Sequence, residues 1–203
     1  MIDAKLQVLL KASGGIIKVS QAKSNGISHT SILRAVQSGR LKRVAHGIYE
    51  AVNEEEPATE NDELYIFQLR RPKVIYSHDT ALYLNNMVEH IPHVFSVTVP
   101  TGYNTKRLIE DGVTVFSIKN SLYKIGIVEK QTKYGHQVTT YSPERTICDC
   151  IRSRSRIDSE VMADAIKGYV QNRNHNRNVY LLMETAKAFG VQKILRTYLE
   201  VLL

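Results

Sequence analysis

Apolar residues in the first 26 positions recur at spacings that predict two short helices with a short strand between them. Three leucines at helical spacing indicate an amphipathic helix over residues 3–12, which Gly14–Gly15 ends. The apolar run Ile16–Val19 is typical of a short strand. Ser20 is then expected to cap a second short helix that runs to about Asn25, because a serine side chain accepts a hydrogen bond from a free helix amide.

The next 24 residues predict a third helix followed by a hairpin. Ser28 is a suitable N-cap for a helix through Ser38, and Gly39 suits the left-handed position that follows a helix. Residues 41–49 are expected to form two short strands that turn near residues 45–47. Helix, short helix, capped helix and hairpin in this order indicate a winged helix-turn-helix.

In that architecture the third helix fits the major groove of duplex DNA. Its apolar side chains, Ile32, Leu33 and Val36, should be buried. On another face, Arg34 is the candidate for a bidentate contact with guanine and Gln37 for a contact with adenine. The other polar positions that would lie near base edges are His29, Thr30 and Ser31.

Contacts with the phosphate backbone are expected at the edges of this surface. The helix amides at Ser20 and Ser28 could hold phosphates, and Lys42, Arg43 and His46 on the hairpin would neutralise backbone charge. A solvated polar helix face, or a winged domain that contacts protein, is the alternative interpretation of these residues.

Charge changes sign sharply after the hairpin. Residues 1–50 carry a net charge of +6, residues 51–63 one of −6, and residues 64–203 one of +7, which gives the total of +7. We therefore predict two domains, a winged helix-turn-helix over residues 1–53 and a second domain over 54–203. Thr59 and Asp62 resemble a capping box that would open the next helix.

The second domain is expected to be a mixed α/β domain with a small sheet and a helical C-terminal third, so the fold class is α+β. Ser142 followed by Pro143 is a strong helix start. The predicted strands are 74–76, 94–99, 113–118, 125–130 and 137–141, with turns at Gly102, Gly112, Asn120 and Gly135. The predicted helices are 64–70, one capped by Ser77, and 143–153, 159–170, 177–189 and 191–202.

The sequence of the second domain gives little evidence for an enzyme active site or a metal site. Arg145 with Glu144 and Asp149 is typical of a structural ion pair rather than of catalysis. Metal binding is not expected, because a zinc site needs about four ligands. The residues considered for it are Cys148, Cys150, His136 and His175. A metal-dependent nuclease with a winged reader domain is the alternative function, and its nearest candidates are Asp111, Glu129 and Lys130.

Basic residues in the helical third could extend a DNA footprint or could form a solvated face. They are Arg145, Arg152, Arg154, Arg156, Lys167, Arg173 and Arg177. The chain has no apolar run of the roughly 18 residues that a membrane span needs, so no membrane association is expected. Two cysteines cannot form a disulfide scaffold, and we expect a cytoplasmic protein.

Four segments in series resemble one family. Gly39–Tyr49 has the pattern G-x-L-x-R-V-x-x-G-x-Y, and Ser77–Leu84 contains S-H-x-T-A-L. Phe95–Pro100 resembles the strand that follows, and Ser142–Asp149 the helix start S-P-E-R-T-hydrophobic-x-D. In this order they resemble the AbiEi antitoxins of type IV toxin–antitoxin, abortive-infection systems over roughly residues 5–170.

The resemblance implies a phage-defence antitoxin that is also a transcriptional autorepressor. AbiEi proteins bind inverted repeats in double-stranded DNA of their own promoter through the winged domain. They counteract a nucleotidyltransferase toxin through the C-terminal domain without a stable complex. We therefore expect no enzyme activity and no cofactor. We also expect a monomer in solution with two copies on the operator.

Overall fold

The computed structural model describes residues 4–52, 62–171 and 178–202, which form two compact units. The first unit contains the chain to Pro72 together with Gln131–Val138. The second contains Lys73–Lys130 and the chain from Thr139 onwards. The division predicted after residue 53 lies in the stretch 53–61, outside the described residues, and stays a prediction.

The order of elements in the first unit is that of a winged helix-turn-helix. Its three strands form an antiparallel sheet in the order β1-β3-β2. Helices α2 and α3 precede the wing that β2 and β3 form. The elements are α1 (Ala4–Ala12), β1 (Ile16–Lys18), α2 (Val19–Ser24), α3 (His29–Gln37), β2 (Leu41–Ala45), β3 (Ile48–Ala51) and α4 (Glu63–Arg70).

The core of the first unit joins one face of each winged element. Leu6, Ile17 and Ile32 are almost fully buried in it, because each presents its apolar side to the same interior. The other buried members are Leu9, Leu10, Ala22, Ile27, Ala35, Leu41 and Tyr49. The predicted helical spacing of the leucines in α1 is therefore confirmed as the burial pattern of that helix.

Helix α4 packs against the winged elements. Ile66 lies in a buried cluster with Ile16 of β1 and Ile48 of β3. Asp62 is the N-cap of α4, and its carboxylate accepts a hydrogen bond from the Tyr65 amide at 3.1 Å. The other half of the predicted capping box, Thr59, lies outside the described residues.

The second unit is built on a mixed five-stranded sheet in the order β6-β5-β4-β8-β7. Strand β4 is antiparallel to β5 and parallel to β8, and β5 is parallel to β6. The elements are β4 (Ile75–Tyr76), α5 (His78–Leu84), β5 (Ser96–Pro100), α6 (Lys106–Glu110), β6 (Thr114–Ile118), α7 (Asn120–Tyr123), β7 (Ile127–Gln131), β8 (Gln137–Tyr141), α8 (Pro143–Arg152), α9 (Ser159–Gln171), α10 (Val179–Ala188) and α11 (Gln192–Leu202).

The predicted α+β class is confirmed, but one predicted turn is a helix and another short helix was not predicted. Asn120, expected in a turn, begins α7, and α6 was not predicted. Each of these helices has at most five residues, and only Leu108 of α6 is buried. A helix of about one turn has no repeating apolar stripe, so periodicity cannot detect it.

The four C-terminal helices begin and end within two residues of the predicted bounds. Their apolar faces form one core with β6, in which Ile147, Ile166, Leu182 and Leu195 are almost fully buried. Within the described ranges, no helix is long and apolar enough to cross a membrane.

Candidate nucleic-acid interface

Helix α3 begins as the sequence predicts, with Ser28 as its N-cap. The Ser28 hydroxyl accepts a hydrogen bond from the Ser31 amide at 3.1 Å, and the two hydroxyl oxygens lie 3.0 Å apart. Because this cap occupies one of the free amides of the first turn, a phosphate at this end would meet the amides that remain.

The polar face of α3 is open to solvent. His29, Thr30, Arg34 and Gln37 are exposed, and Ser31 is half-buried. A rotation of about 100° per residue places the four exposed residues within one half of the helix surface. The residues predicted to face base edges therefore lie on a free surface that a DNA groove could cover.

The opposite face of α3 shows one error in the sequence prediction. Ile32 and Ala35 are buried and Val36 is half-buried, but Leu33 is 42% exposed. Leu33 is one residue beyond Ile32, and a step of 100° carries it out of the core and onto the polar face. Apolar character alone therefore assigned it to the wrong side.

Ser20 does not cap α2, contrary to the prediction. The helix begins at Val19, its N-cap is Lys18, and no side chain makes the capping bond. The Val19 amide donates instead to the carbonyl oxygen of Gly47 in the wing turn, at 2.9 Å. A long-range backbone partner of this kind has no local sequence signal. Ser20 is exposed, so it stays a candidate for a phosphate contact on other grounds.

The three basic residues of the wing differ in their partners. Lys42 Nζ lies 2.9 Å from Glu50 Oε2 across the β2–β3 pair, so its charge has a neighbouring carboxylate. Arg43 is exposed, and its Nη2 donates to His46 Nδ1 at 2.9 Å. Because a guanidinium only donates, His46 Nδ1 accepts this hydrogen bond, which leaves Nε2 as the ring's donor. His46 is also exposed and can donate from that atom.

Comparison with known families identifies this region. Residues 6–52 match the family model described as "Transcriptional regulator, AbiEi antitoxin". This segment is therefore similar to the N-terminal segment of AbiEi antitoxins. The match runs from within α1 to the end of β3, so the resemblance noted in the sequence is confirmed for the winged elements.

A solved structure with a similar fold extends over nearly the whole chain. The RV2827C protein from Mycobacterium tuberculosis has 10% sequence identity, with a TM-score of 0.53 over 98% of this chain and 82% of that one. At this identity the likeness is one of fold. A comparison with curated proteins finds no match to the chain.

The first unit also holds a polar cluster that sequence reasoning missed. His136 Nδ1 lies 2.7 Å from Asp62 Oδ2, and its Nε2 lies 3.1 Å from the Gly14 carbonyl oxygen. Thr132 also donates to Asp62, and the Tyr65 ring stacks on the His136 ring at 4.3 Å. Since both acceptors lack hydrogens, both ring nitrogens donate and the imidazole is charged. The Asp62 hydrogen bond accordingly raises the pKa of His136.

Arg145, counted in the basic cluster from sequence, is fully buried and cannot contact DNA. Its Nε donates to Asp149 Oδ2 at 2.8 Å, and its Nη1 donates to the carbonyl oxygens of Leu122 and Ile125. The predicted structural ion pair is confirmed. Burial raises the pKa of Asp149 to about 6, against the opposing effect of Arg145.

A buried histidine in the S-H-x-T-A-L segment is also structural. His78 has a positive φ of 49°, and its Nδ1 and Nε2 lie 2.9 Å and 3.1 Å from the hydroxyls of Ser77 and Ser153. Burial, with the charges of Arg145 and Arg156, lowers the pKa of His78 to about 3. The ring is therefore neutral and is held by two hydroxyls inside the second unit.

The nuclease candidates are scattered over separate elements. Asp111 is the C-cap of α6, whereas Glu129 and Lys130 are neighbours on β7. In the part of the chain that the structure describes, no group of three or more His, Cys, Asp or Glu side chains is placed to hold a metal ion. Cys148 and Cys150 are buried thiols, and burial raises the pKa of Cys148 to about 12.

The remaining members of the predicted basic cluster divide into two groups. Arg152, Arg154 and Lys167 are exposed, as is Arg156, whose guanidinium lies 4.2 Å from the Phe116 ring centre. His175, Arg173 and Arg177 lie outside the described residues. An extended DNA footprint on the exposed members stays a prediction.

Proposed function

We propose that this protein is the antitoxin and transcriptional autorepressor of a type IV toxin–antitoxin operon for phage abortive infection. The observation that carries the proposal is the exposed polar face of α3 in a segment that matches an AbiEi transcriptional regulator. Arg34 and Gln37 on that face have the donors and acceptors that major-groove base edges require. The wing supplies cations for the flanking phosphates.

The operator is proposed to be an inverted repeat in the protein's own promoter. One winged domain reads only a short site, and two copies related by a twofold axis would read two half-sites about one helical turn apart. A monomer in solution that binds as two copies fits this arrangement. Footprinting of the DNA upstream of the gene tests it. Two protected half-sites are expected, and uniform protection of unrelated DNA at the same protein concentration would contradict it.

We propose that the antitoxin role belongs to the second unit, as the resemblance to AbiEi proteins implies. We propose that the chain counteracts a nucleotidyltransferase toxin in the cytoplasm, without enzyme activity of its own, cofactor or stable complex. Co-expression of the toxin with the full chain and with Arg34→Ala tests the division of roles. Both should relieve toxicity, whereas only the unaltered protein should repress the promoter. Loss of both activities in Arg34→Ala would contradict the division.

A further inference from the structure

Leu33 is the one residue of α3 whose position disagrees with its chemistry. It is 42% exposed, whereas its neighbour Ile32 has no exposed surface. Among the described residues, Leu33 is not one of the buried members of the winged core. A large part of its side chain is therefore open to a partner.

The helical rotation places Leu33 inside the proposed reading face. Residues 29, 33 and 37 follow one another at intervals of four, so Leu33 lies in line between His29 and Gln37. Arg34, the next residue along the chain, lies about 100° further round the helix on the same exposed face. An apolar side chain thus stands in the middle of the polar residues proposed to meet base edges.

The DNA major groove offers one kind of apolar partner. Base edges there carry hydrogen-bond donors and acceptors, and thymine alone among the four bases adds a methyl group at C5. A leucine pressed against a polar base edge would remove donors or acceptors from water without replacing their hydrogen bonds, which is unfavourable. Against a methyl group, both partners lose apolar contact with water, which is favourable.

We propose that Leu33 is a specificity-determining residue that recognises the 5-methyl group of a pyrimidine, thymine in unmodified DNA, in each operator half-site. The inference rests on the proposed function and adds to it. Arg34 and Gln37 would select bases by hydrogen bonds, and Leu33 would select a neighbouring base by its methyl group. A base pair without that methyl at this position would be discriminated against.

The test removes the methyl group from the DNA rather than from the protein. The probe is the duplex upstream of the gene or, where that does not bind, a duplex selected from a random-sequence library. Each thymine of the bound site is replaced in turn by deoxyuridine, which lacks only the methyl. One thymine per half-site is expected to show a loss of affinity of about fourfold, the effect of one buried methyl-sized group.

Leu33→Ala completes the test as a double-mutant cycle. The variant should bind the thymine duplex more weakly and should no longer distinguish thymine from deoxyuridine at that position. Val8→Ala is the matched control, because Val8 is a 71% exposed apolar residue on α1, outside the reading face. It should retain the discrimination. Alanine suits an exposed helix position, so both variants should fold, as circular dichroism would check.

The outcomes separate the two proposals. Specific binding with no sensitivity to deoxyuridine at any position would overturn the role of Leu33 and leave the repressor function intact. Discrimination that survives Leu33→Ala would likewise assign the methyl contact elsewhere. Failure to select any specific duplex would overturn the repressor function, and the role of Leu33 with it.

Discussion

Two helices of this protein start alike and carry their arginines to opposite environments. Ser28 caps α3 and Ser142 caps α8, each through a hydrogen bond from the amide three residues later. Arg34 on α3 is exposed, whereas Arg145 on α8 is fully buried between the rings of Tyr141 and Phe189. Every residue of α8 from position 144 to 151 is buried, but α3 buries only Ile32 and Ala35.

The difference between the two helices shows what distinguishes a binding surface from a structural site. A buried charge needs partners inside the protein, and Arg145 of α8 donates to Asp149 and to two carbonyl oxygens. A helix covered on one side leaves its charges to water until a partner replaces the water. The same residue type therefore supports folding in one unit and is available for binding in the other.

Replacement of Arg145 by methionine tests this comparison with the largest expected effect, a loss of stability. Asp149 would lose its cation while remaining buried, and we expect the free energy of unfolding to fall by about 3–5 kcal/mol at neutral pH. Denaturant unfolding would measure the loss. It should be smaller at pH 5, because Asp149 without Arg145 would be protonated there.

Two controls accompany that experiment. Arg145→Met combined with Asp149→Asn should recover part of the loss, since no unpaired charge remains. Arg152→Met alters an exposed arginine of the same helix and should change stability by less than about 0.5 kcal/mol. Equal losses for Arg145→Met and Arg152→Met would show that the buried ion pair is not what distinguishes α8.

Arg34→Ala tests the other side of the comparison. It should leave stability nearly unchanged, weaken operator binding by roughly 1–3 kcal/mol and relax preference at one base pair. Titration of the operator and of single-base variants by fluorescence anisotropy would measure both effects. Arg196→Ala, an exposed arginine on α11, is the control and should bind normally. Full discrimination in Arg34→Ala would remove this residue from the reading face.

Local sequence signals predicted the winged elements closely because each boundary has a local cause. Ser28 and Gly39 fix the ends of α3 through a side-chain cap and a φ of +73°. The start of α2 could not be predicted, because its first amide bonds to Gly47, 28 residues away. Leu33 was wrongly predicted to be buried, because the apolar character of a residue does not give the angle at which its helix packs against the core.

Long-range polar partners were also beyond the sequence. Asp62 and His136 are 74 residues apart, and nothing near either residue indicates the other. The Arg145–Asp149 pair was predictable, because its members are four residues apart on one helix. The burial that makes this pair structural became evident only when the helices around it were seen to form one core.

His136 extends the comparison to a half-buried charge in the first unit. Its pKa is raised above the unfolded value near 6.5, chiefly by the Asp62 hydrogen bond, so its stabilising effect is complete below that pH. The effect is lost as pH rises through the raised value. His136→Gln should cost about 1–2 kcal/mol at pH 6 and less at pH 9.

Thermal unfolding at both pH values would check this difference. The advantage of the unaltered protein over His136→Gln should shrink as pH rises through the raised pKa of His136, since the imidazole then sheds its proton. His29→Gln is the control, because it makes the same substitution at an exposed histidine on α3. A constant gap between the unaltered protein and His136→Gln would mean that His136 contributes by packing on Tyr65 rather than by charge.

Lys42→Ala is expected to have the smallest effect on DNA binding. Lys42 lies on the candidate interface, as Arg34 does, but it also has a carboxylate partner, as Arg145 does. It is half-buried on the wing, and Glu50 lies 2.9 Å from its ammonium group, so DNA must compete with a carboxylate for its charge. Lys42→Ala should weaken binding to all sequences alike, by under about 1 kcal/mol. Glu50→Gln should strengthen binding, because it removes a negative charge from the wing.

Salt titration of DNA binding by both variants measures these effects. The slope of log K against log salt should fall by no more than about one unit in Lys42→Ala. An unchanged affinity in both variants would place Lys42 outside the interface and leave Arg43 and His46 as the wing's contacts with phosphate.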